Sequence, residues 1–269
     1  MKNTPVSVSI LGSRGSIPVS GERFTRYGGA TCCVAVHTDN TFAVLDAGTG
    51  LMELLDYLHG EKQIHLFLTH CHIDHILGLP LCPAALSSQY QFHIYGADRN
   101  ECDIASQIRS LMSPPLWPVG PAQLPADFVF HPVRSKMEIN GMVIETMEGC
   151  HPGGVTVYRL TVNGRRIVYM TDCTITEENR AALLEFCSDC DLLLCDGQYS
   201  DEQWLTRSNF GHNRWTQVAR FGLECGAKTT RVLHHDPTHS DQTLDRARSE
   251  VRTISPACDL AFDREEIIL

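Results

Sequence analysis

An α/β fold containing a mixed sheet is what this sequence predicts, from three observations. Apolar runs of strand length alternate with segments of helical period along the chain. Two of those runs are joined by Asn163-Gly164, a dipeptide that favours the tight turn of an antiparallel hairpin, so at least one antiparallel pair is expected. The composition, 43% hydrophobic and 20% charged over 269 residues, is that of a chain able to bury a core. No linker-like stretch divides it, so residues 1–269 are read as a single domain.

In chain order the strand candidates are the alternating or continuous apolar runs VSVSIL (6–11), CVAVHT (33–38), FAVLDA (42–47), HLFLTH (65–70), FHIYGA (92–97), MVIETM (142–147), VTVYRL (155–160), RIVYMT (166–171), DLLLCD (191–196) and RVLHHD (231–236). Helical period appears at 51–60, 76–89, 100–111, 177–186, 215–226 and 241–251. Residues 113–132 are proline-rich and weakly periodic, a long loop that either covers a site or merely connects.

Lys and Arg total 22 against 32 Asp and Glu, a net charge of −10 that opposes binding to long nucleic acid or to an anionic membrane. Neither a signal core nor a run of about 18 apolar residues is present, which reads as a soluble cytoplasmic protein. The twelve cysteines, including the Cys187-Ser-Asp-Cys190 spacing, then read mostly as small buried hydrophobes.

Thr69-His70-Cys71-His72-Ile73-Asp74-His75 is the loudest chemical signal: three histidines and an aspartate directly after an apolar run. Imidazole and carboxylate suit Zn²⁺, Mn²⁺ or Fe²⁺, and four such ligands in one turn exceed what a single ion readily takes from it. Two ions are implied, so more ligands must come from other strand ends. His151 in GCHPGG, Asp172 ending RIVYMTD, and His234 and His235 ending RVLHHDP are the candidates.

This succession, His70-x-His72-x-Asp74-His75, then a lone histidine, a strand-terminal aspartate and a late histidine, resembles the metallo-β-lactamase-fold hydrolase superfamily from about residue 6 to 240. The resemblance implies an αββα sandwich of two mixed β-sheets flanked by helices, with a dinuclear site on one edge. It implies that His70, His72 and His151 hold one metal, that Asp74, His75 and a late histidine hold the other, and that Asp172 bridges them. Asp46 in LDAGTG takes the position of an aspartate supporting the histidine motif. Histidine rather than glutamate at position 72 favours hydrolysis over diiron oxygen chemistry. Asp172, with Cys173 only its neighbour, argues against a zinc β-lactamase.

LLLCDGQYS and FGHNRWTQVARFGLECGAKTTRVLHHDP are similar to two motifs of the phosphodiesterase branch, best known from tRNase Z. By position they pair Asp196 with His212, and a carboxylate-paired imidazole is an apt general acid. The glycine-rich segment LGSRGSIPVSGERFTRYGGATCCVAV resembles the first hairpin of that branch, which would let Arg14 and Arg26 receive phosphate oxygens. Only 20 residues separate His151 from Asp172, and the NGRR hairpin uses most of them, leaving no room there for a tRNA-gripping arm. Of the late pair, His235 is expected to be the ligand. Strand alternation puts His234 and His235 on opposite faces, and the related pattern ends its strand one residue before the ligand.

The resulting expectation is a phosphodiesterase acting on small or cyclic phosphodiesters such as cyclic nucleotides. Asp74, His212 and Asp196 carry catalysis, and the two divalent ions are zinc first, with manganese or iron as alternatives. A homodimer is implied by the resemblance only. A lactone, ester or thioester hydrolase with the same metals, and a noncatalytic ligand-binding or sensor protein, stay open. Cys71, Cys150 and His239 lie close to the motifs with no assigned role.

Overall fold

The computed structural model describes residues 5–269, and these form two seven-stranded sheets. The first contains β1 (Ser7–Gly12), β2 (Cys33–His37), β3 (Phe42–Leu45), β4 (Gln63–Phe67), β5 (Gln91–Gly96) and β6 (Asp127–Pro132) in that order, with β14 (Glu265–Ile268) beside β1. The second runs from β7 (Lys136–Ile139) through β8 (Met142–Gly149), β9 (Val155–Val162), β10 (Arg165–Met170), β11 (Leu192–Asp196) and β12 (Thr230–Leu233) to β13 (Cys258–Leu260). Each sheet is half antiparallel and half parallel. The pairs change from antiparallel to parallel at β3 in the first sheet and at β10 in the second.

Successive strand residues face opposite ways, and here both faces are apolar, which is why the runs read as continuous. Leu45, Phe67, Tyr169 and Leu194 face the core between the sheets. Their neighbours Val44 and Leu66 face outward against Leu51, Leu54, Ile104 and Ile108, while Val168 and Leu193 meet Leu183, Val218, Phe221 and Val251. Those partners lie on α2 (Ile104–Leu111), α3 (Arg180–Cys187), α5 (Trp215–Glu224), α6 (Asp241–Ile254) and a 3₁₀ segment at Thr49–Tyr57. The architecture is therefore the αββα sandwich of two mixed sheets. Among the described residues, no helix is long and apolar enough to cross a membrane.

Three local expectations change. Residues 76–89 are not a helix: α1 spans only Ile73–Ile76 and a 3₁₀ turn covers Leu79–Leu81. Gly78 packs its Cα against the Gly48 carbonyl, and Pro80 and Pro83 interrupt further winding. The segment 113–132 is not loop throughout, because DFVFHP pairs with β5 as the edge strand β6. The short helix α4 (Asp201–Arg207), capped by Ser200 and Gln203, adds to the expected helices. Most cysteines are buried, six of them in the core outside the second sheet, while Cys102 and Cys150 are exposed.

Candidate metal centre

Strand ends deliver the site, as is usual for sheets of this kind. After β4 the chain turns through His70 and His72 into α1, which carries Asp74 and His75. His151 follows β8, Asp172 follows β10 and His234 follows β12. Two overlapping groups result, His70, His72, His151 and Asp172, and Asp74, His75, Asp172 and His234; within each, the ligand atoms lie within 4.8 Å of one another. Asp172 belongs to both.

Hydrogen bonds on the far side of the imidazoles aim their remaining lone pairs inward. His75 Nδ1–H donates to Asp46 Oδ2 at 2.8 Å, His151 Nδ1–H to the Gly211 carbonyl at 3.1 Å, and His234 Nδ1–H to Gln198 Oε1 at 3.1 Å. His70 Nδ1–H donates to Thr69 Oγ at 3.0 Å. What converges is a set of acceptors. His72 Nδ1 lies 2.9 Å from His70 Nε2 and 3.1 Å from His151 Nε2. His75 Nε2 is buried without a hydrogen-bond partner, 3.3 and 3.4 Å from Asp74 and Asp172. Nitrogen lone pairs and carboxylates that face one another at these distances fit divalent cations, and outward hydrogen bonds of this kind are how ligand imidazoles are oriented.

The electrostatics divide the two groups. Burial holds His70, His72 and His151 below the ordinary imidazole pKa, so each offers a neutral nitrogen. Burial works against charge on His75 and His234 as well, but the carboxylates around them outweigh it and raise both pKa values well above the ordinary range. Despite burial, those same imidazoles hold Asp74 and Asp172 well below the usual carboxylate range. With all imidazoles neutral, as metal ligands must be, the second group carries two buried carboxylates against one in the first, and these call for compensating positive charge.

Asp46, fully buried, gathers four donors: Thr69 N–H and Oγ–H, His75 Nδ1–H and Tyr169 Oη–H. An unpaired carboxylate at that depth would cost several kcal/mol. Here the donors from Thr69 and His75 also fix the turn that carries the histidine motif.

Beside the second group, His212 Nδ1–H donates to Asp196 Oδ2 at 2.9 Å, and its ring stacks on His234 with centroids 4.8 Å apart. Asp196 and His212 consequently also fall within 4.8 Å of Asp172 and His234. The Asp196 carboxylate already accepts from His212 and from the Gln198 N–H, which marks it as an orienting group.

Residues 43–235 match the family of beta-lactamase superfamily domains. The chain belongs to the beta-lactamase superfamily. Among superfamily relatives, ribonuclease Z of Haloarcula marismortui is 24% identical over 97% of this chain and 93% of that protein. The crystal structure of the metallo-beta-lactamase fold protein YhfI from Bacillus subtilis superposes with a TM-score of 0.77 at 20% identity, covering 99% of this chain and 100% of that one. A diphosphatase from the PhnP family superposes at 0.70 with 20% identity, over 97% of each chain. The short form of human tRNase Z gives 0.69 at 19% identity, over 97% of this chain and 98% of that one. The chain is a metal-dependent hydrolase of this superfamily, related to ribonuclease Z.

Two expected site residues, His235 and Arg14, are corrected within this superfamily fold. His235 is not in the metal centre: its Nε2–H donates to the Ala261 carbonyl at 2.8 Å, and burial, reinforced by Arg14, lowers its pKa to about 3. Strand alternation does not govern this pair, because β12 stops at Leu233 and His234 takes a left-handed φ of 63°, which swings its ring into the centre. Arg14 is fully buried, donating to the carbonyls of Gly28, Asp236 and His239. It ties the first hairpin to the 236–239 loop and is not presented to a phosphate. Arg26 pairs with Asp245 of α6 at 2.6 Å.

Sequence reasoning missed several supporting residues. Ser16 N–H donates to Asp74 Oδ2 at 2.7 Å, so the glycine-rich hairpin serves the metal cradle through its backbone. Gly15 permits this, since a Cβ there would lie 2.2 Å from the His234 ring. Gln198 and Gly211 orient His234 and His151. Their only signal was adjacency to motif residues. His239 Nε2–H donates to Gln203 Oε1 at 2.9 Å, outside both ligand groups.

Proposed function

We propose that the chain is a phosphodiesterase acting on small or cyclic phosphodiesters, such as cyclic nucleotides, with zinc as the first choice of metal and manganese or iron as alternatives. The observation that carries this reading is the Asp196–His212 pair set against the second ligand group. Two divalent cations would supply Lewis acidity toward phosphoryl oxygens and an acidified water. The chain's own contribution is proton delivery. With Nδ1–H held by Asp196, His212 turns Nε2 toward the cavity over the metal centre, which it lines. Its imidazolium can hand a proton from Nε2 to a departing alkoxide, and Asp196 stabilises the charged form before transfer. Ester or thioester chemistry places less demand on such a donor when the leaving group is already stable. Similarity to ribonuclease Z and to the diphosphatase supports phosphorus chemistry. The direct β9–β10 connection through Asn163-Gly164, together with the acidic net charge, supports a small substrate over a structured RNA.

The test is kcat/KM across phosphodiesters of rising leaving-group pKa. His212→Ala keeps its metals and loses about 10²–10⁴-fold on alkyl leaving groups, with much smaller losses on nitrophenyl esters. Asp196→Asn shows a milder version. Equal losses at every leaving group, or none, would return His212 to a structural role and promote lactone or thioester hydrolysis.

A further inference from the structure

The cavity over the metal centre, of about 360 Å³, has a polar side and an apolar wall. The polar side is made by the ligand residues His72, Asp74, His151, Asp172 and His234 with His212 and Ser16. The wall is Ile73, Pro152 and Phe210, and among the described residues no lysine or arginine lines the cavity. Ile73 is 53% exposed and Phe210 is 55% exposed. Isolated exposed apolar side chains are ordinary, but two on one catalytic cavity form a wall awaiting an apolar surface.

The backbone at both positions is tied to the site. Ile73 stands between His72 and Asp74 at the start of α1. Phe210 N–H donates to the Arg207 carbonyl at 3.0 Å. The next residue, Gly211, has φ +95° and lies so close to His151 that a Cβ there would fall 2.3 Å from its Nδ1. Since the Gly211 carbonyl also orients His151, and His212 follows, the phenyl ring is carried by one short segment that also sets a ligand and the proton donor.

Cations close in the fold are already committed. Arg99, in an adjoining cavity that reaches His70 and His72, is bidentate to Glu148 and donates to Thr156. Arg207 pairs with Asp236, and Arg14 is buried on carbonyls. Among the described residues there is thus no side-chain countercharge for a second phosphate in this cavity.

Resting on the phosphodiesterase reading, we infer that Phe210 and Ile73 clamp an aromatic or similarly planar apolar substituent of a phosphodiester carrying a single negative charge. Phe210 brings an aromatic ring and Ile73 an aliphatic side chain to the cavity lining, so recognition is by stacking and apolar contact and does not depend on the identity of one base.

The experiment compares bis(p-nitrophenyl) phosphate with methyl p-nitrophenyl phosphate on metal-loaded protein, two diesters of equal charge and identical leaving group. Wild type prefers the aryl diester by about tenfold in kcat/KM, expressed mainly in KM. Phe210→Ala lowers kcat/KM of the aryl diester about tenfold more than that of the methyl diester, Phe210→Trp restores the preference, and Ile73→Ala weakens it less. A third arm adds a 3′-phosphate to the p-nitrophenyl ester of thymidine 5′-phosphate, and kcat/KM falls. Turnover of both simple diesters with a ratio unchanged in both alanine variants overturns the clamp and leaves the phosphodiesterase reading standing. A 3′-phosphate that accelerates turnover overturns the single-charge requirement. No turnover of any diester overturns the reading and the clamp together.

Discussion

The two sheets contribute to the metal centre in opposite styles. The first supplies His70, His72, Asp74 and His75 from a single turn after β4, braced from β3 by Asp46. The second supplies His151, Asp172, Asp196 and His234 from four separate strand ends, along with His212 from the start of the α5 region. The contiguous half is held by local geometry and a shared buried carboxylate. The scattered half depends on the sandwich packing correctly and on backbone strain at the strand ends. Asp172 and His234 both take left-handed φ, 54° and 63°, and conformations of this sort in non-glycine residues cost on the order of 1–3 kcal/mol unless their surroundings fix them. Asp46 on the first sheet has the same feature, at 58°. Ligands gathered from several strands are therefore expected to be the more sensitive to changes elsewhere in the fold.

Asp172 is the residue on which the two halves meet, and its loss has the largest effect. Asp172→Ala removes the one carboxylate common to both groups, and activity falls further than the roughly 10–100-fold typical of losing a ligand's hydrogen-bonding partner. Steady-state rates on metal-saturated protein check this, and a variant with near-wild-type turnover would show that the groups function independently.

The smallest effect concerns His235, which belongs to the scattered half by sequence and to the core by structure. Its folded pKa, about 3, lies below the ordinary imidazole value of 6.5. Between those values the unfolded chain binds the proton that the folded chain refuses. Stability is therefore lost as pH falls from 6.5 toward 3, by up to about 1.4 kcal/mol per pH unit from this residue. Urea denaturation at several pH values in that window shows a shallower slope for His235→Gln, which keeps a donor for the Ala261 carbonyl. Identical slopes for the two proteins would contradict the assignment.

Legibility follows the same division. His70 to His75 could be read directly, because three imidazoles and a carboxylate crowded into one turn after a buried apolar run are costly to pack unless a cation holds them. The strands that deliver them were legible for a related reason: each buried run is apolar on both faces. His234 was misread because period-two alternation holds only while the strand lasts, and nothing in RVLHHDP announces that the backbone leaves it at His234. Arg14 was misread because an arginine in a glycine-rich loop looks like an anion receptor, whereas three backbone carbonyls claim it only after residues 28, 236 and 239 come together. Edge strand β6 was hidden by the prolines before it.

The two ligand groups would seat two ions where the sheets meet, one of them held by His234. Elemental analysis after reconstitution and removal of excess metal, on wild type, His234→Ala and His235→Ala, tests it most directly. Two ions per chain in wild type, one in His234→Ala and two in His235→Ala are the expected values. A wild-type chain that retains one ion or none, or loss of metal confined to His235→Ala, would contradict the account.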